Sequence, residues 1–256
     1  MAEGLSITIQ LGAYQNIFAK AVAGHVADLR HALRALEDGS FVEKAQTAAP
    51  GAVVKLQFAE PETFTDDAVH RQTRRCFRSI IGDFITFLDQ ILAARRILGR
   101  RLVVPPDGLK DADAAIAFVQ SALDAEYHSV ASDASLRNPE KVRQLVQAGA
   151  LSKESAMIIG TYFDVRRFME HHRAIPPEPQ IVFFRRMKML MGDREIVSLP
   201  TIGEEGQAIS VKMETEKRLL PAAEKISLTE AEINDVAFGL QLIAGEIVDT
   251  LNQSKN

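Results

Sequence analysis

The chain has a single cysteine, Cys76, and no tryptophan. A lone cysteine cannot close an intrachain disulfide, and Cys76 has no cysteine or histidine neighbour at zinc-ligand spacing. A disulfide-stapled fold is therefore excluded, and we expect Cys76 to be a buried small hydrophobe. The histidines form no His-x3-His pair with a third ligand, so we expect neither a metal site nor a cofactor.

Long apolar runs are also missing. No window approaches the roughly 18 uninterrupted apolar residues of a membrane span, and the start of the chain lacks a basic region followed by an apolar stretch. These two absences predict a soluble, cytoplasmic protein without a membrane partner. The sequence has neither a glycine-rich phosphate loop that ends in Lys and Ser or Thr, nor a Gly-x-Ser-x-Gly motif.

What is present is typical of a globular protein. Of the 256 residues, 46% are hydrophobic and 25% charged, which places the chain outside the disordered and fibrous classes. Its length favours one main domain with a smaller appendage over two equal domains. We predict a helical domain over 1–178 and a small β-hairpin with a C-terminal helix over 179–256.

Apolar residues recur at intervals of three and four in several segments, which is the helical period. The predicted helices are 14–37, 65–98, 111–127, 139–147, 152–174 and a last one that follows the capping pair Ser227 and Glu230. The fold class is therefore mainly α, a helical bundle with a small β appendage.

Strand patterns lie beyond residue 179. The run QIVFFRRMKMLM at 180–191, Gly192-Asp193 and the following REIVSLP predict a β-hairpin, with QAISVKMETE at 207–216 as a candidate third strand. VVKLQF at 53–58 is a further candidate strand. The pair Phe183-Phe184, with the cations after it, would suit stacking on single-stranded nucleic acid, but division into a packed and a wet face is the favoured interpretation.

The formal net charge of −4 hides an asymmetry. Residues 70–101 contain eight arginines against two aspartates, a local charge of +6, so the rest of the chain sums to −10. Attraction of phosphate depends on local rather than total charge. Arg74, Arg75 and Arg78 are therefore expected to meet an anionic partner, which the family resemblance described below implies to be RNA, with a plain solvated helix face as the alternative.

The helix at 152–174 has two faces. At about 100° per residue, Ile158, Tyr162, Val165 and Met169 fall in one sector, which we expect to face the core. The opposite face carries a glycine, an aromatic ring and several charged groups: Gly160, Phe163, Arg167, Glu170 and His171, with Arg166 at its border.

The segment YFDVRRFMEHH at 162–172 resembles the HEPN superfamily of RNase-associated helical bundles, whose motif is Arg, a polar residue, three variable residues and His. Arg166 and His171 fit this spacing, and Arg167 stands where the family usually has Asn, Asp or His. The resemblance covers about residues 65–175. It implies a metal-independent endoribonuclease or RNA-binding protein, with Arg166 and His171 as the catalytic pair and Arg167 against the RNA.

The chemistry of such a pair is simple. Histidine supplies a base or acid that titrates near neutrality, and arginine stabilises charge on the transition-state phosphate. By resemblance, the nucleophile is the 2′-hydroxyl of the RNA. Because residues five apart lie about 140° apart around a helix, the two side chains do not converge from one helix. The family forms a composite site in a homodimer, and Gly160 and Phe163 are the predicted interface.

Other interpretations remain open. Arg167 and His172 also satisfy the motif spacing, although we expect His172 on the buried edge of the helix. Arg166 with Glu170 and Arg167 with Asp164 would equally form ordinary surface ion pairs. The alternative function is a non-catalytic interaction module whose helical surface binds a protein partner in a regulatory or defence complex.

Overall fold

The computed structural model describes residues 9–37, 61–100, 102, 111–191, 194–196 and 209–253. In chain order, its helices are α1 (Leu11–Glu37), α2 (Pro61–Leu98), α3 (Ala112–Ser132), α4 (Asn138–Gln147), α5 (Lys153–His171) and α6 (Glu230–Gln253). Its strands are β1 (Gln180–Met191), β2 (Arg194–Ile196) and β3 (Ile209–Leu220). The chain is mainly α-helical, with a small antiparallel sheet and a C-terminal helix, as predicted.

The predicted starts of the first two helices were wrong. α1 begins at Leu11 rather than at Tyr14, and the side chain of Leu11 is buried. α2 begins at Pro61 rather than near Thr65, because proline has a preset helical φ and lacks only an N–H that a first turn leaves unpaired. Both helices are therefore longer at their N-terminal ends than their apolar stripes indicate.

α3 starts where predicted but ends later. The Asp111 side chain accepts a hydrogen bond from the Ala114 N–H at 2.8 Å, which caps the helix at the expected residue. The helix continues beyond the predicted end at Tyr127 to Ser132. Val130 lies in this extension and its side chain is fully buried, so packing favours the additional turn.

α5 begins where its capping residue predicts and ends earlier than its prolines suggest. The Ser152 hydroxyl accepts a hydrogen bond from the Ser155 N–H at 3.1 Å, which satisfies one free donor of the first turn. The helix stops at His171 because Arg173 and Ala174 have φ values of 54° and 64°, outside the helical region. The predicted end at residue 174 is therefore wrong.

The sheet has the strand order β2-β1-β3 and is antiparallel throughout. The predicted hairpin of β1 and β2 is present, and three residue pairs join the described parts of the two strands, from Met189↔Ile196 to Met191↔Arg194. The candidate third strand is the main partner of β1, paired from Gln180↔Leu220 to Met191↔Ile209. The predicted turn at 192–193 and the candidate strand at 53–58 lie outside the described residues.

The chain forms two compact units. The first unit comprises Met1–Val22, Ile81–Gly160 and Gln241–Asn256, and the second comprises Ala23–Ile80 and Thr161–Leu240. Several helices contribute to both units, so this grouping does not divide the chain into successive segments. The predicted domain boundary between residues 178 and 179 stays a prediction.

The core of the first unit contains a cluster of phenylalanines. The ring of Phe18 lies 5.5 Å from that of Phe84 and 5.6 Å from that of Phe87. All three rings are buried, so they hold the α1 and α2 parts of this unit together through apolar contact. A charged pair, Asp89 and Lys141, is buried in the same unit.

The core of the second unit is centred on Tyr162 of α5. Its ring lies 6.3 Å from the rings of both Phe77 on α2 and Phe184 on β1. Val182 and Phe184 are buried while Ile181 is 49% exposed, which is the alternation predicted for a strand with one packed face. α5 also meets the edge of β1, where the Phe183 N–H donates to the Thr161 hydroxyl at 3.4 Å.

Candidate functional site

The packed face of α5 determines which side chains remain outside. Ile158, Tyr162, Val165 and Met169 are all buried, as their helical spacing predicted. In the second half of the helix, Arg167, Glu170 and His171 are exposed, whereas Phe168 is buried with the packed face. This orientation creates the candidate site on the second half of the helix.

Arg166 is partly buried and is bound to a carboxylate. Its Nε lies 2.8 Å from Oε1 of Glu170, one turn further along α5, and 26% of its side chain is exposed. The Nη1 atom of the same guanidinium is buried and has no hydrogen-bond partner among the described residues. The predicted catalytic arginine therefore has one ion pair, with Glu170, and one nitrogen atom, Nη1, without a partner among the described residues.

A second predicted arginine meets the same carboxylate. Nε of Arg78, on α2, lies 3.7 Å from Oε1 of Glu170, and 52% of its side chain is exposed. Arg78 was predicted to bind RNA and Arg166 to act in catalysis, but no sequence pattern indicates that the two lie together. We refer to Arg78, Arg166 and Glu170 as the Glu170 cluster.

His171 lies in the last turn of α5 and is exposed. This placement keeps its imidazole accessible to a ligand, as a catalytic base or acid requires. Arg166 and His171 are separated by about 140° around the helix axis, so one copy of α5 does not bring them together. A composite site from two copies stays a prediction.

Arg167, predicted to bind RNA, is exposed and makes a local contact. Its Nη2 lies 3.1 Å from Oδ1 of Asp164, the surface ion pair expected as the alternative. Its guanidinium also lies 5.2 Å from the centre of the Phe168 ring. An exposed pair of this kind contributes little to stability, so Arg167 can exchange Asp164 for another anion at small cost.

The expected burial of His172 is wrong. His172 is exposed because α5 has already ended at His171, and its ring lies 5.7 Å from that of Phe168. Burial therefore gives no reason to prefer the Arg166 and His171 frame over that of Arg167 and His172. What distinguishes the first frame is that Arg166 binds Glu170, a carboxylate that Arg78 of α2 also approaches.

The other two predicted RNA-binding arginines differ from each other. Arg74 is partly buried, and its Nε donates to the His70 carbonyl at 3.0 Å on its own helix. Arg75 is exposed and lines a cleft of about 470 Å³ between α1 and α2, together with Asp28 and Gln72. Arg75 is thus the more accessible of the two.

Cys76, in the same cleft, is a buried small side chain as predicted. Its thiol lies 3.3 Å from the His25 carbonyl and donates to it. Burial, with the Asp28 carboxylate as a smaller cause, raises the pKa of the Cys76 thiol to about 11. The thiol is therefore protonated at neutral pH, which excludes it as a nucleophile at this pH.

The predicted interface residues Gly160 and Phe163 are both half-exposed. A Cβ atom built at Gly160 would have no described atom within 4 Å apart from its chain neighbours and the backbone of its own helix. The surface of α5 at this point is therefore open, which leaves room for the backbone of another molecule. Their role in a dimer stays a prediction.

The charge around the Glu170 cluster is strongly basic. Residues 71–78 of α2 and 164–173 of α5 and its following turn contain seven arginines and two carboxylates, Asp164 and Glu170. We refer to these two stretches as the arginine segments. Within the described part of the chain, no group of three or more His, Cys, Asp or Glu side chains could hold a metal ion.

The comparisons with known proteins give no family: no protein-family model, curated protein or solved structure matches this chain. None of the helices in the described ranges has the length and apolar character needed to cross a membrane.

The sequence did not predict that Glu170 belongs to the candidate site. Its pairing with Arg166 was expected from the i, i+4 spacing, but only as an ordinary surface ion pair without a functional role. Because Arg78 of α2 also approaches Glu170, this carboxylate lies between two arginines from different helices. Nothing in the sequence indicates that contact. The i, i+4 spacing predicts contacts within one helix and not contacts between two helices.

Proposed function

We propose that this chain is a HEPN-like RNA-binding protein whose arginine segments hold the phosphate backbone. The observation that carries the proposal is the meeting of Arg78 and Arg166, from two different helices, at one oxygen of Glu170. Two guanidinium groups around one oxyanion oxygen form an arrangement suited to a phosphate group.

The electrostatics support this proposal. Seven arginines against two carboxylates give the arginine segments a positive local charge, although the whole chain carries −4. Binding to nucleic acid follows the local field, because cations near phosphates release counterions from the backbone. Exposed Arg75, Arg78 and Arg167 are able to act in this way.

Cleavage is a further step of the same proposal. In the homodimer, His171 would take the proton from a 2′-hydroxyl, whose oxygen would bond to the adjacent phosphorus. The bond from phosphorus to the 5′-oxygen would break, the 5′-oxygen would take up a proton from water, and Arg166 would stabilise the phosphate charge. Exposed His171 favours this step, whereas Glu170 opposes it by neutralising Arg166.

Binding and cleavage separate in one set of measurements. Fluorescence anisotropy with a labelled single-stranded RNA in EDTA measures binding, and gel analysis of the same samples measures cleavage. We expect wild-type protein to bind, Arg78→Ala and Arg166→Ala to bind more weakly, and His171→Ala to bind as wild type. Cleavage in EDTA that both Arg166→Ala and His171→Ala abolish supports the nuclease, and intact RNA with wild-type protein excludes it.

The matched control is Arg143→Ala. Arg143 lies on α4, is 60% exposed and pairs with Glu140 on its own helix at 2.5 Å, so it repeats the local chemistry of Arg166 and Glu170. A general loss of positive charge would weaken RNA binding equally in this variant. The proposal fails if wild-type protein does not bind RNA or if Arg143→Ala has the same effect as Arg166→Ala.

The second candidate is a module that binds a protein through the sheet. Ile181 and Leu219 are direct partners across β1 and β3, and they are 49% and 62% exposed. Exposed apolar groups side by side are typical of an interface. Sedimentation of wild type and of the double variant Ile181→Ser/Leu219→Ser tests whether the protein partner is a second copy of the chain. A wild-type mass above that of one chain, which falls in the variant, supports this candidate. A mass of one chain for both proteins excludes a second copy as the partner.

A further inference from the structure

Glu170 stands where a ligand anion would stand. Its Oε1 atom is 2.8 Å from Arg166 Nε and 3.7 Å from Arg78 Nε, while only 25% of its side chain is exposed. A carboxylate and a phosphate both present oxygens that accept hydrogen bonds from guanidinium groups. The Glu170 cluster therefore has the composition of an oxyanion site that already contains its own anion.

The geometry leaves capacity for another anion. Nη1 of Arg166 is buried without a hydrogen-bond partner among the described residues, so the guanidinium is incompletely satisfied by Glu170. Arg78 is 52% exposed and lies further from the carboxylate than a hydrogen bond allows. A phosphate that displaces the Glu170 carboxylate presents more acceptor oxygens, which could pair with donors that the carboxylate leaves unused.

From these contacts we infer that Arg78 and Arg166 form a phosphate-binding site, which the Glu170 carboxylate occupies when no ligand is bound. The ligand class is a phosphate group, and the RNA backbone as its source rests on the proposed function. Glu170 competes with the ligand, because a phosphate that enters must displace the carboxylate or accept its repulsion. The carboxylate thus lowers the affinity of the chain for RNA.

The test is Glu170→Gln, which retains the shape of the side chain and removes its charge. Binding of a single-stranded RNA is measured by anisotropy, and binding of inorganic phosphate by NMR shifts of the arginine Nε–H signals. We expect Glu170→Gln to bind both probes more tightly than wild type, by roughly threefold or more, because one competing charge is gone. Arg78→Ala in the Glu170→Gln background is expected to remove this gain.

Glu140→Gln is the matched control. Glu140 pairs with Arg143 on α4 as Glu170 pairs with Arg166, and no second arginine meets that carboxylate within the described ranges. Its neutralisation changes the net charge by the same amount, so a gain in RNA affinity equal to that of Glu170→Gln would overturn the site. Circular dichroism confirms that each variant keeps its helix content.

The two proposals fail separately. If wild-type protein binds RNA and Glu170→Gln binds neither probe more tightly, the phosphate site is wrong and the RNA-binding function stands. If neither protein binds RNA, but Glu170→Gln binds inorganic phosphate more tightly than wild type and Arg78→Ala reverses this, the function is wrong and the site stands.

Discussion

Lys141 and Asp89 form an ion pair in which both side chains are more than nine-tenths buried, with 2.5 Å between Nζ and Oδ1. Asp89 is on α2 and Lys141 on α4, within the first unit. Burial raises the pKa of the Asp89 carboxyl, and the Lys141 ammonium opposes that rise. Each charge is therefore tolerated because the other is present.

Removing one partner should be costly. We expect Lys141→Met to lower the free energy of unfolding by about 3 kcal/mol or more, because it leaves Asp89 buried without its counter-ion. Asp89→Leu/Lys141→Met should recover most of this loss, since no buried charge remains. Urea denaturation measures both. Arg143→Met, in the exposed pair on α4, is the control and should change the free energy of unfolding little. If Lys141→Met lowers the free energy of unfolding no more than Arg143→Met does, the account is contradicted.

Gly160 and Gly24 provide a matched pair for the dimer prediction. Each lies inside a helix, and a Cβ at either position would meet no described atom within 4 Å apart from its chain neighbours and the backbone of its own helix. Alanine should therefore stabilise the fold by about 0.5–1 kcal/mol in both cases, because it lowers the backbone entropy of the unfolded chain. Thermal unfolding measures this effect.

Self-association should separate the two variants. If α5 meets a second copy through Gly160 and Phe163, Gly160→Ala weakens the dimer because its methyl group occupies the approach, whereas Gly24→Ala does not. Sedimentation equilibrium gives the dissociation constant. Identical constants for wild type and both variants would show that Gly160 is not at the interface.

Glu214 on β3 should titrate far below an ordinary glutamate. Lys212 and then Lys188 hydrogen-bond its carboxylate, at 2.7 and 2.9 Å, and lower its pKa from 4.5 to about 2. Because the pKa is lower in the folded than in the unfolded state, the stabilisation is complete above pH 4.5 and is lost as the pH falls toward 2.

Carboxyl NMR measures this pKa directly. Lys212→Gln and Lys188→Gln should each raise it toward the ordinary value. Lys217→Gln is the control, because odd-numbered residues of β3 point to the opposite side of the sheet from Lys212 and Glu214. A midpoint near 4.5 in wild-type protein would contradict the two ion pairs.

The positions of single helices and the contacts within them were predictable from the sequence, because they depend on residues close together in the chain. The apolar stripe of α5, its start after Ser152 and the pairing of Arg166 with Glu170 all follow from the helical period. Its end was not predictable, because Arg173 and Ala174 adopt a left-handed conformation that neither residue type signals. The prolines at 176 and 177 suggested a later end than the backbone shows.

Contacts between residues far apart in the chain could not be predicted from the sequence. Arg78 reaches Glu170 from another helix, and Asp89 meets Lys141 in the core. Nothing in the sequence indicates which residue is the partner of which. Asp89 did carry a signal, since it stands between the apolar pairs Phe87-Leu88 and Ile91-Leu92 of α2. A charge within such a run indicates a buried partner without identifying it.

The central claim is that Arg78 and Arg166 neutralise RNA phosphates, and the salt dependence of binding tests it most directly. For single-stranded nucleic acid, each phosphate contact contributes about 0.7 to the slope of log affinity against log salt concentration. We predict that Arg78→Ala and Arg166→Ala each reduce the magnitude of this slope by about that amount, while Arg143→Ala leaves it unchanged. A slope that is the same in wild type and all three variants would contradict the account.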